Sequence, residues 1–256
     1  MTIRIAGHFG EWLQGRLGPD GPLALVTLPC PALAVHVTDG TDPLLPAPVR
    51  DRFAAALGQP LASTGLAADM PLGAGAGAST AALLALARVS GATTDTDTLA
   101  AACLAAEGAT DPLMHDSPDT LLWAPRQARI LDRLPPMPRC EILGGFLGAP
   151  SPTDPADTDF PDIADLAAAW ARDADLAARA AIASESARRT TALRGPAADP
   201  TPDLARALGA LGHIRAHTGS ARGLVFAPGG IPAHAEAQLI EAGLTGLLRF
   251  RTGSVP

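Results

Sequence analysis

Pro71-Leu72-Gly73-Ala74-Gly75-Ala76-Gly77-Ala78-Ser79-Thr80-Ala81 sets three glycines at alternate positions, then a hydroxyl pair, then the apolar run 81–87. Glycine lets the backbone N–H groups of a loop converge on an anion without Cβ interference. A helix beginning near Ser79 adds free N–H donors and the positive end of a dipole. A hydroxyl in its first turn reaches a phosphate oxygen or a magnesium ion. The stretch therefore reads as a cradle for a polyphosphate, that of ATP, with Pro71, Gly73, Gly75, Gly77, Ala78, Ser79 and Thr80 as its nucleotide-binding residues. The competing reading is an Ala/Gly-rich packing loop, which this composition makes easy to obtain. Pro71 at the entry, and the apolar side given to the helix by Leu83, Leu84 and Ala87, favour the cradle.

The 256 residues suffice for one large domain or two small ones, and an apolar share of 47% excludes global disorder. Acidic residues outnumber basic ones 26 to 19, a net charge of −7, which argues against a nucleic-acid surface. No basic amphipathic segment points to a membrane, and no apolar run approaches the ~18 residues of a span. All 19 cations are arginine; lysine, asparagine and tyrosine are absent. That excludes a Gly-x-x-x-x-Gly-Lys phosphate loop, a protein-kinase lysine and a pyridoxal Schiff base. Amides, dipoles, magnesium and arginine must supply the electrostatics of any ATP site. Cys30, Cys103 and Cys140 form no CxxC pair, so neither a disulfide framework nor a zinc site is expected, and a cytoplasmic location fits. The N-terminus does not read as a signal peptide.

Strands are expected at 2–6, 23–28 and 32–37, with a turn-like stretch over 7–21 and a break at Pro29-Cys30-Pro31. A helix over 49–57 stops at Gly58, and the cradle helix runs to Ser90. Asp95 and Asp97 cap another helix, with Leu99, Ala102, Cys103 and Ala106 on one face, that ends at Glu107-Gly108. A polar corner at 109–112 precedes a strand over 121–124. The composition shifts at 135–138, which divides the chain into an N-terminal domain, 1–137, and a C-terminal domain, 138–256. The second reads as a strand (140–147), an acidic loop (151–161), a long helix (163–177) and a second helix (184–193). A third helix is marked by Leu204, Leu208, Leu211 and Ile214. A strand (223–227), a helix (233–242) and a closing strand (246–250) follow. This mixture is an α+β architecture.

Four segments fall in order: Ala6-Gly7-His8-Phe9-Gly10-Glu11-Trp12-Leu13-Gln14-Gly15, Leu25-Val26-Thr27-Leu28-Pro29, the cradle, and Ala216-His217-Thr218-Gly219-Ser220-Ala221-Arg222-Gly223-Leu224. This order resembles the GHMP kinases. The first, second and fourth segments look like those of the L-threonine kinases of cobalamin synthesis, also known as propanediol-utilisation proteins. The resemblance implies an N-terminal domain like domain 2 of ribosomal protein S5, a ferredoxin-like C-terminal domain, and an active site between them. It implies ATP, Mg2+ and a small-molecule acceptor, L-threonine, phosphorylated to O-phospho-L-threonine for the aminopropanol linker of cobalamin. Two departures stand out. Ala78 replaces the first of the two serines usual after the last glycine, while Ser79 keeps the second, associated with magnesium and phosphate. Ala221 and Arg222 stand where glycines are common.

On this resemblance Asp111 is the candidate base, taking the acceptor's hydroxyl proton as the phosphorus–oxygen bond forms. An Asp before Pro is also an ordinary turn residue, and Asp116 and Asp119 are nearby alternatives. Glu107 is expected to hold magnesium with Ser79, against the plainer reading of a solvated helix end. Glu11 and Gln14 are expected to touch the substrate, Glu11 through an amino-acid ammonium. Thr218 and Gly219 shape the substrate end of the cleft. Arg222 either neutralises phosphate charge or is a surface cation. His8, His115 and His217 show no metal spacing, and Trp12 and Trp123 read as core or pocket wall. Asp39, Asp42 and the acidic stretch 154–165 read as solvated loop charges. The alternatives are a GHMP kinase for homoserine or a related metabolite, and a nucleotide-binding homologue without turnover.

Overall fold

The structure, a computed structural model, describes residues 3–151, 154–173 and 175–253. Expectations for Thr2 and Ala174 lie outside the described residues. The first strand does not stop at Ala6. β1 (Arg4–Arg16) continues through the stretch expected to turn, because β-bulges absorb its glycines. β2 (Leu23–Thr38) likewise runs through Pro29-Cys30-Pro31. The register jumps from Ala6↔Ala34 to Gly7↔Cys30, so residues 31–33 loop out and Pro31 owes the ladder no N–H.

The remaining strands are β3 (Gly65–Ala68), β4 (Leu121–Ala124), β5 (Arg129–Arg133), β6 (Cys140–Leu147), β7 (Gly212–Arg215), β8 (Ala221–Phe226) and β9 (Leu244–Thr252). They form one sheet in the order β5-β4-β2-β1-β7-β8-β6-β9, with β3 paired to β2 and the named strands pairing antiparallel. The strands before residue 137 meet those after it at the β1–β7 seam, where Glu11 stands opposite Arg215.

The helices are α1 (Ala47–Leu57), α2 (Ala78–Val89), α3 (Thr96–Glu107), α4 (Ala164–Arg172), α5 (Leu176–Arg194), α6 (Thr201–Ala207) and α7 (Ala235–Glu241). Gly58 closes α1 with φ 68°, and the Asp95 carboxylate caps α3 by accepting the Thr98 N–H at 2.8 Å. The expected helix over 163–177 is two helices, parted after Arg172, and the one over 184–193 is the second half of α5. Leu211 and Ile214 do not extend a helix. Gly209, at φ 67°, follows α6, and Ile214 lies in β7.

α2 is apolar almost all round, and its residues from Ala81 to Ala87 are buried. Such a helix has no solvent face and is held inside the fold. It packs with α1 and α3 in one apolar cluster that includes Val35 of β2. A central cluster joins both halves of the chain: Phe9 makes edge-to-face contacts with Phe146 and Phe250, and Trp12 lies against Trp170. The three cysteines are buried free thiols. No helix among the described residues is long and apolar enough to cross a membrane.

Arg222 on β8 and Asp199, just before α6, form an ion pair at 2.7 Å, with both side chains 3% exposed. Removing one partner strands the other charge in a low-dielectric interior. Asp199→Ala should lower the unfolding free energy by about 3–5 kcal/mol. Urea denaturation followed by circular dichroism measures it, and a loss below about 1 kcal/mol, the value of an exposed pair, would contradict the burial argument.

Candidate active site

The cradle is pinned by its carbonyls. Those of Gly73, Ala74, Gly75 and Ala76 accept N–H groups of Ser151 (2.9 Å), Ala221 (3.1 Å), Gly10 (3.0 Å) and His8 (3.1 Å). Ala74, Ala76 and Ala78 are buried in the central cluster, while Gly73, Gly75 and Gly77 take φ of 75°, 74° and 69°. The alternation thus has a mechanical meaning: alanines anchor and glycines turn. From Gly75 to Thr80, no N–H has an acceptor among the described residues. Those groups form an arc of donors running into the N-terminus of α2, the arrangement that binds phosphate. A Cβ on Gly77 would lie 2.5 Å from His8 Cδ2, and one on Gly75 would lie 2.3 Å from the Ala216 Cβ.

The arc faces a cleft of about 500 Å3, lined from both halves of the chain. Gly73, Gly75, Gly77, Ala78, Ser79, Thr80, Glu107, Asp111, Glu11, Gln14 and Thr218 all line it. The Ser79 hydroxyl donates to Glu107 Oε1. Burial, then the Asp111 charge, push the Glu107 carboxyl up to about 8, with Arg52 opposing. Trp123 Nε1 donates to the Thr110 carbonyl at 2.7 Å, and the Thr110 N–H reaches the Pro125 carbonyl at 2.9 Å. The Asp111 N–H points at Thr80 Oγ1, 3.4 Å away, so the corner is fixed against the first turn of α2. Thr80 thereby also holds the aspartate in place. Asp116 and Asp119 do not line this cleft.

The sequence reading missed His8. Its Nε2 lies 3.2 Å from Asp111 Oδ2, its Nδ1 lies 3.9 Å from Glu11 Oε1, and its side chain is 3% exposed. Burial disfavours the imidazolium, but Asp111 first and Glu11 second outweigh it and raise the pKa to about 9. Burial lifts the Glu11 carboxyl to about 7, with His8 and Asp111 acting in opposite senses. Glu11 Oε2 and Gln14 Oε1 are buried acceptors without a donor among the described residues. His8 and Glu11 are three apart, which in a regular strand sets them on opposite faces. The register shift between them and Gly10 at φ 71° turn both toward the cleft. Spacing alone hides such a pair.

Other expected residues sit elsewhere. Pro71 is outside the cleft lining and accepts the Ala74 N–H. Gly219 lines a second cavity and packs against the cradle, where a Cβ would meet the Ala74 carbonyl at 2.3 Å. Arg222 is neither a surface cation nor free for phosphate: Asp199 and the carbonyls of Gly219 and Ala221 hold it. The acidic stretch is not simply solvated, since Asp157 pairs with Arg194 and Asp165 with Arg189. Phe160, from the same stretch, stacks on His217 with centroids 3.9 Å apart and lines the cleft.

No family model matches the chain, and no curated protein matches its sequence. Solved structures do. Mevalonate kinase of Methanococcus jannaschii is 11% identical at a TM-score of 0.58, over 98% of this chain and 97% of that one. Phosphomevalonate kinase of Streptococcus pneumoniae is 12% identical at 0.60, over 99% of each. A phosphotransferase related to the CoA biosynthesis pathway is 13% identical at 0.62, over 100% and 96%. The α+β fold of this chain is the fold of these kinases.

A histidine whose pKa rises on folding stabilises the protein below the unfolded value and loses that contribution as pH rises through the folded one. His8 rises from 6.5 to about 9, so the stability of the ligand-free protein should fall between those values. Glu11, raised from 4.5 to about 7, adds a decline in the same direction at lower pH. His8→Asn should flatten the upper part of the profile. Urea midpoints taken from pH 5 to 9.5 measure both effects, and a wild-type midpoint that does not fall above pH 6.5 contradicts the assigned pair.

Proposed function

We propose that this chain is an ATP-dependent kinase that transfers the γ-phosphoryl group to the hydroxyl of L-threonine. The product, O-phospho-L-threonine, would feed the aminopropanol linker of cobalamin. One observation carries the reading: a row of unpaired N–H groups and a His8–Asp111 ion pair face the same cleft. The first suits a triphosphate and the second suits proton removal beside it.

The arc from Gly75 to Thr80 holds the phosphates where other phosphate sites use lysine. Ser79 and Glu107 offer hard oxygen donors in contact, and burial of that carboxylate leaves it short of positive charge, so the pair fits magnesium. Bound there, magnesium would neutralise phosphate charge. The acceptor hydroxyl lies against Asp111 in this reading. Its oxygen bonds to the γ-phosphorus, its proton passes to Asp111, and the bond to the bridging oxygen of ADP breaks. His8, 3.2 Å away through Nε2, holds the Asp111 carboxylate in place as the proton arrives. Phosphoryl transfer of this kind depends on positioning and electrostatics rather than covalent chemistry. The orphaned acceptors Glu11 Oε2 and Gln14 Oε1 suit the N–H donors of an ammonium and so support an amino-acid acceptor.

Purified protein with ATP and magnesium should release ADP when L-threonine is added and little without it. Nucleotide binding without threonine-stimulated release would favour a homologue that does not turn over. Asp111→Ala should lower kcat by roughly 10²–10⁴-fold while leaving ATP affinity near wild type. Turnover near that of the wild type would remove Asp111 from its role.

A further inference from the structure

A second cavity, of about 360 Å3, adjoins the cleft at residues 217–218. His217 and Thr218 line both spaces. Arg194, Arg215 and Arg222 line the second cavity, with Asp154, Asp157 and Ser220. Two of the three cations have a carboxylate: Arg194 pairs with Asp157 and Arg222 with Asp199. Arg215 has none within ion-pair distance among the described residues, although it is 7% exposed. Its guanidinium donates to the Thr191 hydroxyl (2.7 Å) and to the carbonyls of Gly195 (2.9 Å) and Ala216 (3.1 Å). Neutral acceptors orient a guanidinium without balancing its charge, and a buried cation without a counter-charge is costly. Burial, then Arg222, pull its pKa down to about 10.

His217 adds a donor. Its Nε2 accepts from Arg194 Nε at 3.2 Å, which leaves the ring proton on Nδ1, and that atom is buried without an acceptor among the described residues. Across the seam, Glu11 and Arg215 are register partners, so their side chains leave the same face of the sheet from neighbouring strands. No ion pair joins them. A buried carboxylate with an orphaned oxygen and a buried guanidinium with no carboxylate in ion-pair contact thus stand on neighbouring strands. They attract each other, and Asp199 also draws the guanidinium, without direct contact.

We propose that this second cavity is the subsite for the acceptor's carboxylate, with Arg215 as its counter-charge and His217 Nδ1 as a further donor. The inference rests on the kinase reading above and specifies its substrate class. The acceptor is a zwitterionic hydroxy-amino acid, its ammonium at Glu11 and Gln14 and its carboxylate at Arg215. An amino alcohol or a neutral alcohol leaves Arg215 uncompensated and is a poor substrate.

The test compares L-threonine with L-threoninamide, which keeps the hydroxyl and the amine and loses the negative charge. Wild-type protein should prefer L-threonine by about 10–100-fold in kcat/KM, the range of a charged hydrogen bond. In Arg215→Gln that preference should fall toward one, mainly through KM, with the melting profile confirming a folded variant. Equal kcat/KM for the two acceptors in wild type overturns the proposal, however the variant folds, and leaves the kinase reading standing. A preference unchanged in folded Arg215→Gln also overturns it. Should no hydroxyl acceptor release ADP, the kinase reading fails, and calorimetry of the wild type with the same two compounds decides the subsite. Tighter binding of L-threonine by 10-fold or more supports it, and equal binding or none refutes it.

Discussion

The cradle works because its carbonyls are spent. Four successive carbonyls, Gly73 to Ala76, are bonded to β1, to β8 and to Ser151, and the N–H groups from Gly75 to Thr80 are left over. A backbone loop ordinarily divides its polar groups between itself and solvent. Here acceptors and donors are sorted to opposite sides, so one side is protein and the other is the cleft. The sorting requires left-handed backbone at every second residue, which is what the three glycines supply. It also requires β1 to approach closely, which the bulge at Gly10 supplies. The row of free amides, the position of His8 and the β1–β7 seam are consequences of one packing arrangement.

A chain without lysine must place positive charge by other means, and the structure shows how. Besides Arg52 in the cleft lining, positive potential comes from the dipole end of α2, the row of unpaired amides and a buried imidazolium. Arginine does different work. Arg222 and Arg194 stitch elements of the second half together through Asp199 and Asp157. Arg52, which lines the cleft, is held by the Ala106 carbonyl. Two buried arginines, Arg179 and Arg215, have no carboxylate within ion-pair distance among the described residues, and of these Arg215 lines the second cavity.

The cradle, α2, α3 and β6 were legible because each carries a local signal: alternating glycine, an apolar run, an Asp N-cap, a strand bounded by prolines. The Ser79, Glu107 and Asp111 grouping was legible only through the family resemblance, since nothing in spacing brings a helix end to a helix start across 28 residues. β3, β5 and β7 were not read, because strands of four or five residues carry too few positions for a period of two to stand out; β4, equally short, was read only from its unbroken apolar run. β7 was further disguised by leucine and isoleucine spaced like a helix face. β1 was read as stopping at Ala6 because its glycines resemble turn residues until their partner strand is known. His8 was lost for the same reason: it fell in the stretch expected to turn and showed no metal spacing, and only the bulged strand brings it to the cleft.

The buried acids of the cleft indicate what kind of ligand completes it. Glu11 and Glu107 are both raised toward or above neutrality, each chiefly by burial. A site meant to remain empty would gain stability from apolar side chains at those positions. Retaining carboxylates there makes sense when a cation or a proton donor replaces the lost water, and each lies beside a different part of the cleft. Glu107 faces the phosphate end beside Ser79, where a divalent cation would sit. Glu11 lies at the seam beside Gln14 and opposite Arg215, where an ammonium would sit. Protons held by these acids in the ligand-free protein would be displaced as ligands arrive, so binding at both ends should be coupled to proton release. On the proposed function, the two carboxylates mark the nucleotide and acceptor ends of the cleft, with the His8–Asp111 pair between them.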